Sequence, residues 1–190
     1  MPALSKREKL IGTAQKLFSR NGFHAVGIDT ILEKSGVAKR TLYNHFRSKD
    51  DLILAVLRYY DERFRNQFIK SIEKRSSTPQ GRLLAIYDVA EEWFGQGDFF
   101  GCMFVGATGE FPEEGTAIRN ICREFKAVLL DYIETLANQA KLERPRSLAE
   151  QLLLLLEGAI TMAQINNSPI SAKQAKNAAR VLIKNSRATP

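Results

Sequence analysis

Residues 36–46 read GVAKRTLYNHF, and this segment carries two kinds of surface. Val37, Leu42 and Phe46 are apolar and can pack against neighbouring helices. Five polar side chains can hydrogen-bond a nucleic acid, with His45 among them, and these are Lys39, Arg40, Thr41, Tyr43 and Asn44. A short helix before Gly36 and another after it would form a helix-turn-helix, whose second helix lies in the major groove of DNA. The segment therefore predicts a DNA-recognition helix; a three-helix surface with incidental polarity is the alternative.

The charge of the chain is concentrated at its N-terminal end. Of the formal net charge of +7, residues 1–50 carry +6, from ten Lys or Arg against four Asp or Glu. Residues 51–190 contain eighteen Lys or Arg and seventeen Asp or Glu, and they carry a charge of only +1. Such an asymmetry indicates a polyanionic partner for the first quarter of the chain. A solvated basic surface is the alternative.

The composition favours an all-α fold. Hydrophobic residues make up 44% of the chain and charged residues 26%, and strand-like alternation is rare. Apolar residues recur at every fourth position from Leu52 to Ile72, which predicts a long helix over residues 49–75. We expect nine helices in all. Three short helices would form a helix-turn-helix DNA-binding domain, residues 1–48, and the remaining helices would form a larger domain, residues 49–190.

Local signals predict where several helices begin and end. Ser5 followed by Glu8 has the form of a capping box and opens the first helix. Gly36 is expected to end the second helix with a positive φ. Thr78-Pro79 begins a later helix, and Ser147–Glu150 has the form of a second capping box. After the long helix of residues 49–75, which connects the two domains, helices are expected over about residues 79–95, 102–111, 114–140, 147–165 and 169–184.

Fixed spacings over residues 17–57 resemble a known family. The run LFSRNGFHAVGIDTILEKSGVAKRTLYNHFRSKDDLILAVL resembles the DNA-binding domain of TetR-family transcription regulators. The matching positions are Leu17-Phe18, Gly22-Phe23, Ile31, Gly36-Val37, Thr41 to Phe46, Lys49 and Leu52. Val26 departs from the pattern, which usually has a Thr that caps the second helix, and Gly27 is expected to cap it instead. A weaker resemblance continues through GCMFVGATGEFP and QLLLLLEGAI.

The resemblance implies a set of DNA contacts. The residues expected to contact DNA are Lys39, Arg40, Thr41, Tyr43, Asn44, His45 and Lys49. Lys49 would meet a phosphate at the start of the connecting helix, where free backbone N–H groups also favour an anion. Arg40 is the best candidate for a guanine contact, because its fork of donors suits O6 and N7, although it could equally hold a phosphate.

The five leucines of residues 152–156 would cover every side of a helix. Either that helix is central and buried or it lies in a dimer interface. The resemblance implies that the last two helices of each subunit form a four-helix interface. The dimerisation candidates are Leu152, Leu154, Leu155, Ala175, Ala179 and Leu182.

Aromatic residues crowd the segment from Trp93 to Phe111. The resemblance implies a small-molecule pocket in the larger domain, and this lining would suit an uncharged or weakly polar organic ligand. The candidate ligand-binding residues are Phe64, Phe68, Trp93, Phe94, Phe100, Cys102, Met103 and Phe104. For each of them a plain core position is the alternative. Cys102 is either a reactive thiol or a buried, inert thiol.

Several function classes are not expected. A glycine-rich phosphate loop, an HExxH motif and a serine elbow are absent from the sequence, so an enzyme is not predicted. The Cys and His residues at positions 24, 45, 102 and 122 lack metal-ligand spacing, and neither a metal nor a cofactor is expected. The longest apolar run has six residues, far fewer than the ~20 of a membrane span, and residues 1–9 lack a signal core. A cytoplasmic protein without a membrane partner is predicted.

Together these features predict a homodimeric transcription regulator. It would be a repressor that binds a palindromic operator in double-stranded DNA and leaves it when a small organic ligand binds. The alternative is a ligand-binding or interaction protein without DNA regulation. The complete motif over residues 41–46 and the +6 charge of residues 1–50 disfavour that alternative.

Overall fold

The computed structural model describes residues 4–186, and these form nine α-helices and no strand. The first four helices are α1 Lys6–Asn21, α2 Ile28–Ser35, α3 Lys39–His45 and α4 Lys49–Arg75. The next five are α5 Pro79–Phe94, α6 Met103–Glu110, α7 Ala117–Gln139, α8 Pro145–Asn166 and α9 Ile170–Asn185. The predicted all-α fold with an N-terminal helix-turn-helix is confirmed. The first three residues of one predicted domain and the last four of the other lie outside the described residues.

The chain divides into two compact units. The first unit contains the chain up to Arg65 together with Met103–Glu124, so it includes α1 to α3, the first part of α4, α6 and the start of α7. The second unit contains Asn66–Cys102 and the chain from Phe125 onward. The predicted functional division after residue 48 stays a prediction. Helices α4 and α7 each contribute residues to both units.

Three of the predicted helix ends are confirmed. Ser5 and Glu8 form a reciprocal capping box: the Glu8 N–H donates to Ser5 Oγ at 3.2 Å and the Ser5 N–H donates to Glu8 Oε2 at 2.9 Å. Gly36 ends α2 with a φ of 63°. The Thr78 hydroxyl accepts a hydrogen bond of 3.1 Å from the Gly81 N–H at the start of α5. Each interaction satisfies backbone groups that a helix end would otherwise leave unpaired.

The predicted capping box at Ser147 is wrong. Helix α8 begins two residues earlier, at Pro145, and Arg144 before it has a left-handed φ of 49°. Proline is suited to the first helical position because its φ is already helical and its missing N–H is not needed there. Ser147 and Glu150 therefore lie inside the first turns, where the Glu150 carboxylate accepts a 3.3 Å hydrogen bond from Arg146 Nε.

Helix α7 also begins later than predicted. The expected start was near residue 114, but Gly115 has a φ of 76° and the helix begins at Ala117. The Thr116 hydroxyl accepts the Arg119 N–H at 3.3 Å, in the manner of an N-cap. A left-handed residue cannot continue an α-helix, so the start moves past it.

The first unit packs its three short helices around a small core. Leu10, Ala14, Ile31 and Leu42 are buried, and α1, α2 and α3 all touch one another. Gly27 occupies the N-cap of α2 without a side-chain hydrogen bond, as expected. Val26, which departs from the family pattern, is buried in this core instead of capping the helix.

The second unit is built on α5, α8 and α9, which pack against one another. Seven residues of α8 are buried in it, beginning with Leu148 and ending with Ala163. By length and composition α8 is the one described helix that could cross a membrane, and a core helix passes the same test. Its burial against α5 and α9 accounts for much of its apolar composition.

Candidate functional site

Helix α3 separates its apolar and polar residues as the sequence predicts. Leu42 and Phe46 are buried in the first unit, and Thr41 is half-buried. The remaining predicted contact residues of α3 are exposed, and these are Lys39, Arg40, Tyr43, Asn44 and His45. The Gly36 N–H donates to the Leu32 carbonyl at 2.9 Å, so the chain turns sharply between α2 and α3. This is a helix-turn-helix that presents one polar face to solvent.

Most of this polar face is available for a partner. Lys39 Nζ lies 3.4 Å from Asp29 Oδ1 in an exposed ion pair, a kind of pair that is weak in water. Within the described part of the chain, the side chains of Arg40 and Asn44 make no hydrogen bond or ion pair. Tyr43 is 49% exposed although it is a large aromatic residue. Groups left unpaired in solvent are what a helix needs in order to bond base edges and phosphates.

Lys49 is the first residue of α4 and already has a partner. Its Nζ donates a 3.3 Å hydrogen bond to the backbone carbonyl of His24, and its side chain is half-buried. Nearby, the Ser48 hydroxyl accepts the Asp51 N–H at 3.1 Å and caps the helix. The predicted phosphate contact of Lys49 stays a prediction. To make it, the ammonium group would use donors that the His24 carbonyl leaves free.

Three further cations, Arg7, Arg47 and Arg58, line a groove beside this face. The groove, of about 440 Å³, lies between α1, α3 and α4 and is also lined by His45, two carboxylates and several apolar residues. The Arg7 guanidinium lies over the Phe46 ring, 5.5 Å from its centroid. Arg7 and Arg47 belong to the basic N-terminal region of the sequence, but no local sequence pattern indicates that α1 lies next to the end of α3.

The candidate ligand-binding residues in the first unit form a small aromatic cluster. The Tyr60 ring stacks on Phe64 with centroids 5.3 Å apart and lies 5.9 Å from the Phe104 ring. Phe104 and Met103 are buried, and Phe64 is half-buried. Tyr60 was not among the predicted ligand-binding residues, although it belongs to the apolar residues that recur at every fourth position of α4 and could have been found from that pattern.

The candidates in the second unit form another aromatic cluster. The Phe99 ring lies 5.1 Å from Trp93 and 5.0 Å from Phe94, so Phe99, which was not among the candidates, joins the two. Phe94 and Phe68 are buried, Trp93 is half-buried and Phe100 is exposed. Phe100 and Trp93 therefore retain surface that a ligand could contact.

Cys102 lies beside an ion pair. Its Sγ is 3.5 Å from Lys126 Nζ, which in turn is 2.5 Å from Glu157 Oε1. The Cys102 side chain is half-buried and Cys122 is buried, and the two form no disulfide. The surroundings of the candidate ligand-binding residues in this unit are therefore less apolar than the sequence indicated. Within residues 4–186, three or more metal-binding side chains do not gather at any point.

The dimerisation candidates fall into two groups. Leu152, Ala175 and Ala179 are buried in the core of the second unit, whereas Leu155 and Leu182 are half-buried. Leu154 is 74% exposed. Other large apolar side chains exposed on α8 and α9 are Met162, Ile165, Ile170 and Val181. The leucine run therefore serves both alternatives weighed in the sequence, because some of its members are in the core and others face solvent.

Comparison with known proteins gives a family and a fold. Residues 10–56 match the model of the bacterial regulatory proteins of the tetR family. The chain is 29% identical to the transcriptional regulator AcuR of Cereibacter sphaeroides, over 85% of this chain and 78% of AcuR. It is 22% identical to the HTH-type transcriptional regulator YjdC of Escherichia coli, over 94% of each chain.

The fold matches solved structures over nearly its whole length. SCO4454, a TetR-family transcriptional regulator from Streptomyces coelicolor, superposes with a TM-score of 0.88 at 26% identity and covers 95% of both chains. The residues matched by the family model contain all of α2 and α3, the helix-turn-helix. Proteins of this kind are DNA-binding regulators and not enzymes. Residues 10–56 thus carry the helix-turn-helix of the tetR family of bacterial regulatory proteins, formed by α2 and α3, and the chain shares its fold with TetR-family transcriptional regulators over nearly its whole length.

Proposed function

We propose that the protein is a homodimeric repressor that binds a palindromic operator and is released from it by a small organic ligand. The observation that supports it most directly is the exposed face of α3, where Arg40 and Asn44 have no partner among the described residues. Such a face, in the part of the chain with a charge of +6, suits a major groove flanked by phosphates. A cytoplasmic location follows from this role.

Within that proposal the residues have separate tasks. Arg40 reads a guanine, since its two parallel donors match O6 and N7, and Asn44 is suited to pair with adenine. Lys39 and Thr41 hold phosphates, and Tyr43 and His45 contact the backbone or base edges beside them. Lys49, at the start of α4, binds a phosphate with the help of the free N–H groups of that helix.

Dimerisation is proposed through the exposed faces of α8 and α9. Leu154 and Ile165, 74% and 70% exposed, lie eleven residues apart, which is three helical turns, so they share one face of α8. Gly158 lies between them with open space where a side chain would be, which permits close approach of a second helix. To reach both half-sites of a palindrome, such a dimer would present two copies of α3 about one DNA turn apart, roughly 34–36 Å.

Leu152, Ala175 and Ala179 would serve this interface from within. They are buried in the second unit and hold α8 and α9 together, so the exposed and half-buried Leu154, Leu155 and Leu182 are the ones that touch a partner subunit. Small residues such as Ala175 and Ala179 allow the two helices to lie close to each other.

The ligand is proposed to be an uncharged or weakly polar organic molecule that contacts one of the two aromatic clusters. Their partly exposed members, Phe64, Trp93 and Phe100, are the first candidates, and Cys102 adds a thiol next to Lys126. Helix α4 links this chemistry to DNA, because Lys49 begins it and Phe64 and Phe68 lie further along it. A ligand that favours one tilt of α4 would change the spacing of the two recognition helices.

One experiment tests the core of the proposal. Binding-site selection from a random duplex library should yield a palindrome with half-sites about one DNA turn apart. Failure to select any duplex, or selection of an asymmetric site bound by a monomer, would refute the dimeric DNA-binding function. A protein that binds small aromatic molecules but no duplex would instead be the interaction or ligand-binding protein that is the alternative.

A further inference from the structure

The last residue of α6 holds the loop between α1 and α2. Glu110 Oε1 accepts the Phe23 N–H at 2.8 Å, and Glu110 Oε2 accepts the His24 N–H at 2.6 Å. The backbone carbonyl of Glu110 lies 2.8 Å from His24 Nε2. Three hydrogen bonds thus connect residues that are 86 or 87 positions apart in sequence. Both oxygens of one carboxylate are used on two consecutive backbone donors, and charge-assisted bonds of this kind are the strong ones.

Packing reinforces this junction. The Phe111 ring lies 4.6 Å from the His24 ring and 6.0 Å from the Phe23 ring. Phe23 is buried and its ring is 5.1 Å from Phe18 in α1. Gly22 has a φ of 83°, and a Cβ there would lie 2.8 Å from Glu110 Oε1. The loop therefore approaches the carboxylate so closely that only glycine fits at this position without a shift.

The same loop is held from a second direction by α4. Lys49 Nζ donates to the His24 carbonyl at 3.3 Å, and Lys49 begins α4 only four residues after the end of α3. The α1–α2 loop is thus fastened to the helix that follows the recognition helix. Because α1 and α2 both pack on α3, the position of the loop constrains the orientation of α3 in the first unit.

Helix α6 is itself firmly held in the first unit. Met103, Phe104 and Ala107 are buried, and Arg119 Nη1 donates to the Thr108 carbonyl at 3.2 Å. The segment Met103–Glu124 belongs to the same compact unit as the chain up to Arg65. A rigid support for the DNA-binding helices therefore comes from a part of the sequence that the motif of residues 10–56 does not include.

We propose that Glu110 is a positioning residue for DNA binding, whose carboxylate fixes residues 22–24 and through them the recognition helix. The proposal rests on the DNA-binding function proposed above and adds a determinant of it outside the helix-turn-helix. Glu110 acts through the loop, so its loss should lower operator affinity without removing a phosphate contact. The dependence of affinity on salt should then keep its slope.

The test compares two neutralised carboxylates three residues apart, one at the end of α6 and the other in the segment that follows it. Glu110→Gln keeps the size of the side chain but leaves one good acceptor where two are needed. Glu113→Gln removes the same charge from an exposed side chain that makes no hydrogen bond with the described residues. Loss of a negative charge should by itself favour DNA binding slightly. Weaker binding by Glu110→Gln therefore has the opposite sign from the electrostatic effect.

The readouts are affinity for the selected operator and amide exchange at Phe23 and His24. We expect Glu110→Gln to bind about 10-fold more weakly with an unchanged salt slope, and its two amides to exchange about 10-fold faster. Glu113→Gln should match the wild type or bind slightly more tightly. Operator affinity within about twofold of the wild type, or weaker binding with both amides still protected, would overturn the proposal.

Two further arms keep the test decisive. If Glu110→Gln does not fold, His24→Ala replaces it, because that variant removes the ring-to-carbonyl hydrogen bond and the ring contact with Phe111 but leaves both backbone donors. A moderate loss of affinity together with faster amide exchange supports the proposal, and wild-type values for both overturn it. A wild-type protein that binds no selected duplex refutes the proposed function, whereas the amide exchange still reports whether the carboxylate holds the loop.

Discussion

The Tyr87 hydroxyl donates a 2.8 Å hydrogen bond to the backbone carbonyl of Leu152, and this bond joins the middle of α5 to the middle of α8. Tyr87 is 1% exposed, so the bond is made out of contact with water. Burial raises the pKa of the Tyr87 phenol far above its ordinary value. The same leucine run that carries an exposed residue at 154 is thus anchored in the core of its unit at 152.

Tyr87→Phe should destabilise the protein at neutral pH by about 1 kcal/mol, because the hydrogen bond is lost while the ring and its packing remain. The free energy of unfolding can be measured by urea denaturation at fixed protein concentration. Tyr43→Phe is the matched control, since the Tyr43 hydroxyl is on an exposed residue and should contribute little. Equal stability of Tyr87→Phe and the wild type would contradict the prediction.

The difference in the free energy of unfolding between the wild type and Tyr87→Phe should become smaller at alkaline pH. Because the folded pKa of Tyr87 is raised, its protonated form favours folding, and this stabilisation is fully present below the unfolded pKa of about 10. Above that pH it is lost at about 1.4 kcal/mol per pH unit, as the unfolded chain gives up a proton that the folded chain keeps. Unfolding curves at pH 7 and pH 11 should show the wild type losing its advantage over Tyr87→Phe. A constant difference would contradict it.

Arg40→Ala should weaken operator binding by about 1–3 kcal/mol and relax the preference for one base in each half-site. The physical reason is the loss of a bidentate contact to guanine. Fluorescence anisotropy with the selected operator and with duplexes substituted at each position measures both effects. Lys184→Ala, near the end of α9, removes the same charge far along the chain and serves as the control. Equal weakening on every sequence would make Arg40 a phosphate contact instead.

Lys49→Ala should weaken binding to all duplexes alike and reduce the slope of log affinity against log salt by about 1. One phosphate contact, and the counterion release that goes with it, is removed. Affinity measured between about 50 and 200 mM salt gives the slope. Because Lys49 also bonds the His24 carbonyl, a large loss of affinity with an unchanged slope would assign it a positioning role in place of a phosphate contact.

Leu154→Glu should convert a dimer into monomer or aggregate. The substitution places a charge on an apolar residue that is exposed in the subunit and would be buried between two subunits. Sedimentation at micromolar concentration distinguishes the species. Asn120→Glu adds the same charge at the exposed start of α7 and should leave the dimer intact. A wild-type chain that sediments as a monomer would remove the basis of the prediction.

Trp93→Ala should reduce ligand affinity while leaving operator affinity nearly unchanged. Trp93 is half-buried in its aromatic cluster, so it offers ring surface to a ligand, and its fluorescence reports binding. In the wild type a ligand that binds should also lower operator affinity, by about 5- to 150-fold in systems of this type. Titration of small aromatic compounds against Trp93 fluorescence and against the operator complex measures both. A tight ligand that changes the fluorescence but not operator affinity would mean that this unit dimerises without sensing.

Much of the fold could be predicted from local signals. The capping box of Ser5 and Glu8, the left-handed Gly36 and the bounds of α4 all depend on residues within a few positions of one another. The predicted start of α8 at Ser147 was wrong for a local reason too. Pro145 and Ser147 are both typical of a helix start, and the helix begins at the proline, two residues earlier. The division of residues 36–46 into buried and exposed side chains follows from helical periodicity alone.

The sequence by itself determined the nine helices of residues 4–186, the recognition helix with its exposed donors, and the match of residues 10–56 to the tetR family, because these depend on short-range patterns and fixed spacings. Only the tertiary structure decided which leucines of residues 152–156 are buried and that Glu110 holds the loop at Phe23 and His24. A carboxylate and two amides separated by more than 80 residues leave no periodic trace in the sequence. Their contact exists because packing of α6 within the first unit brings the end of one helix to the loop between two others.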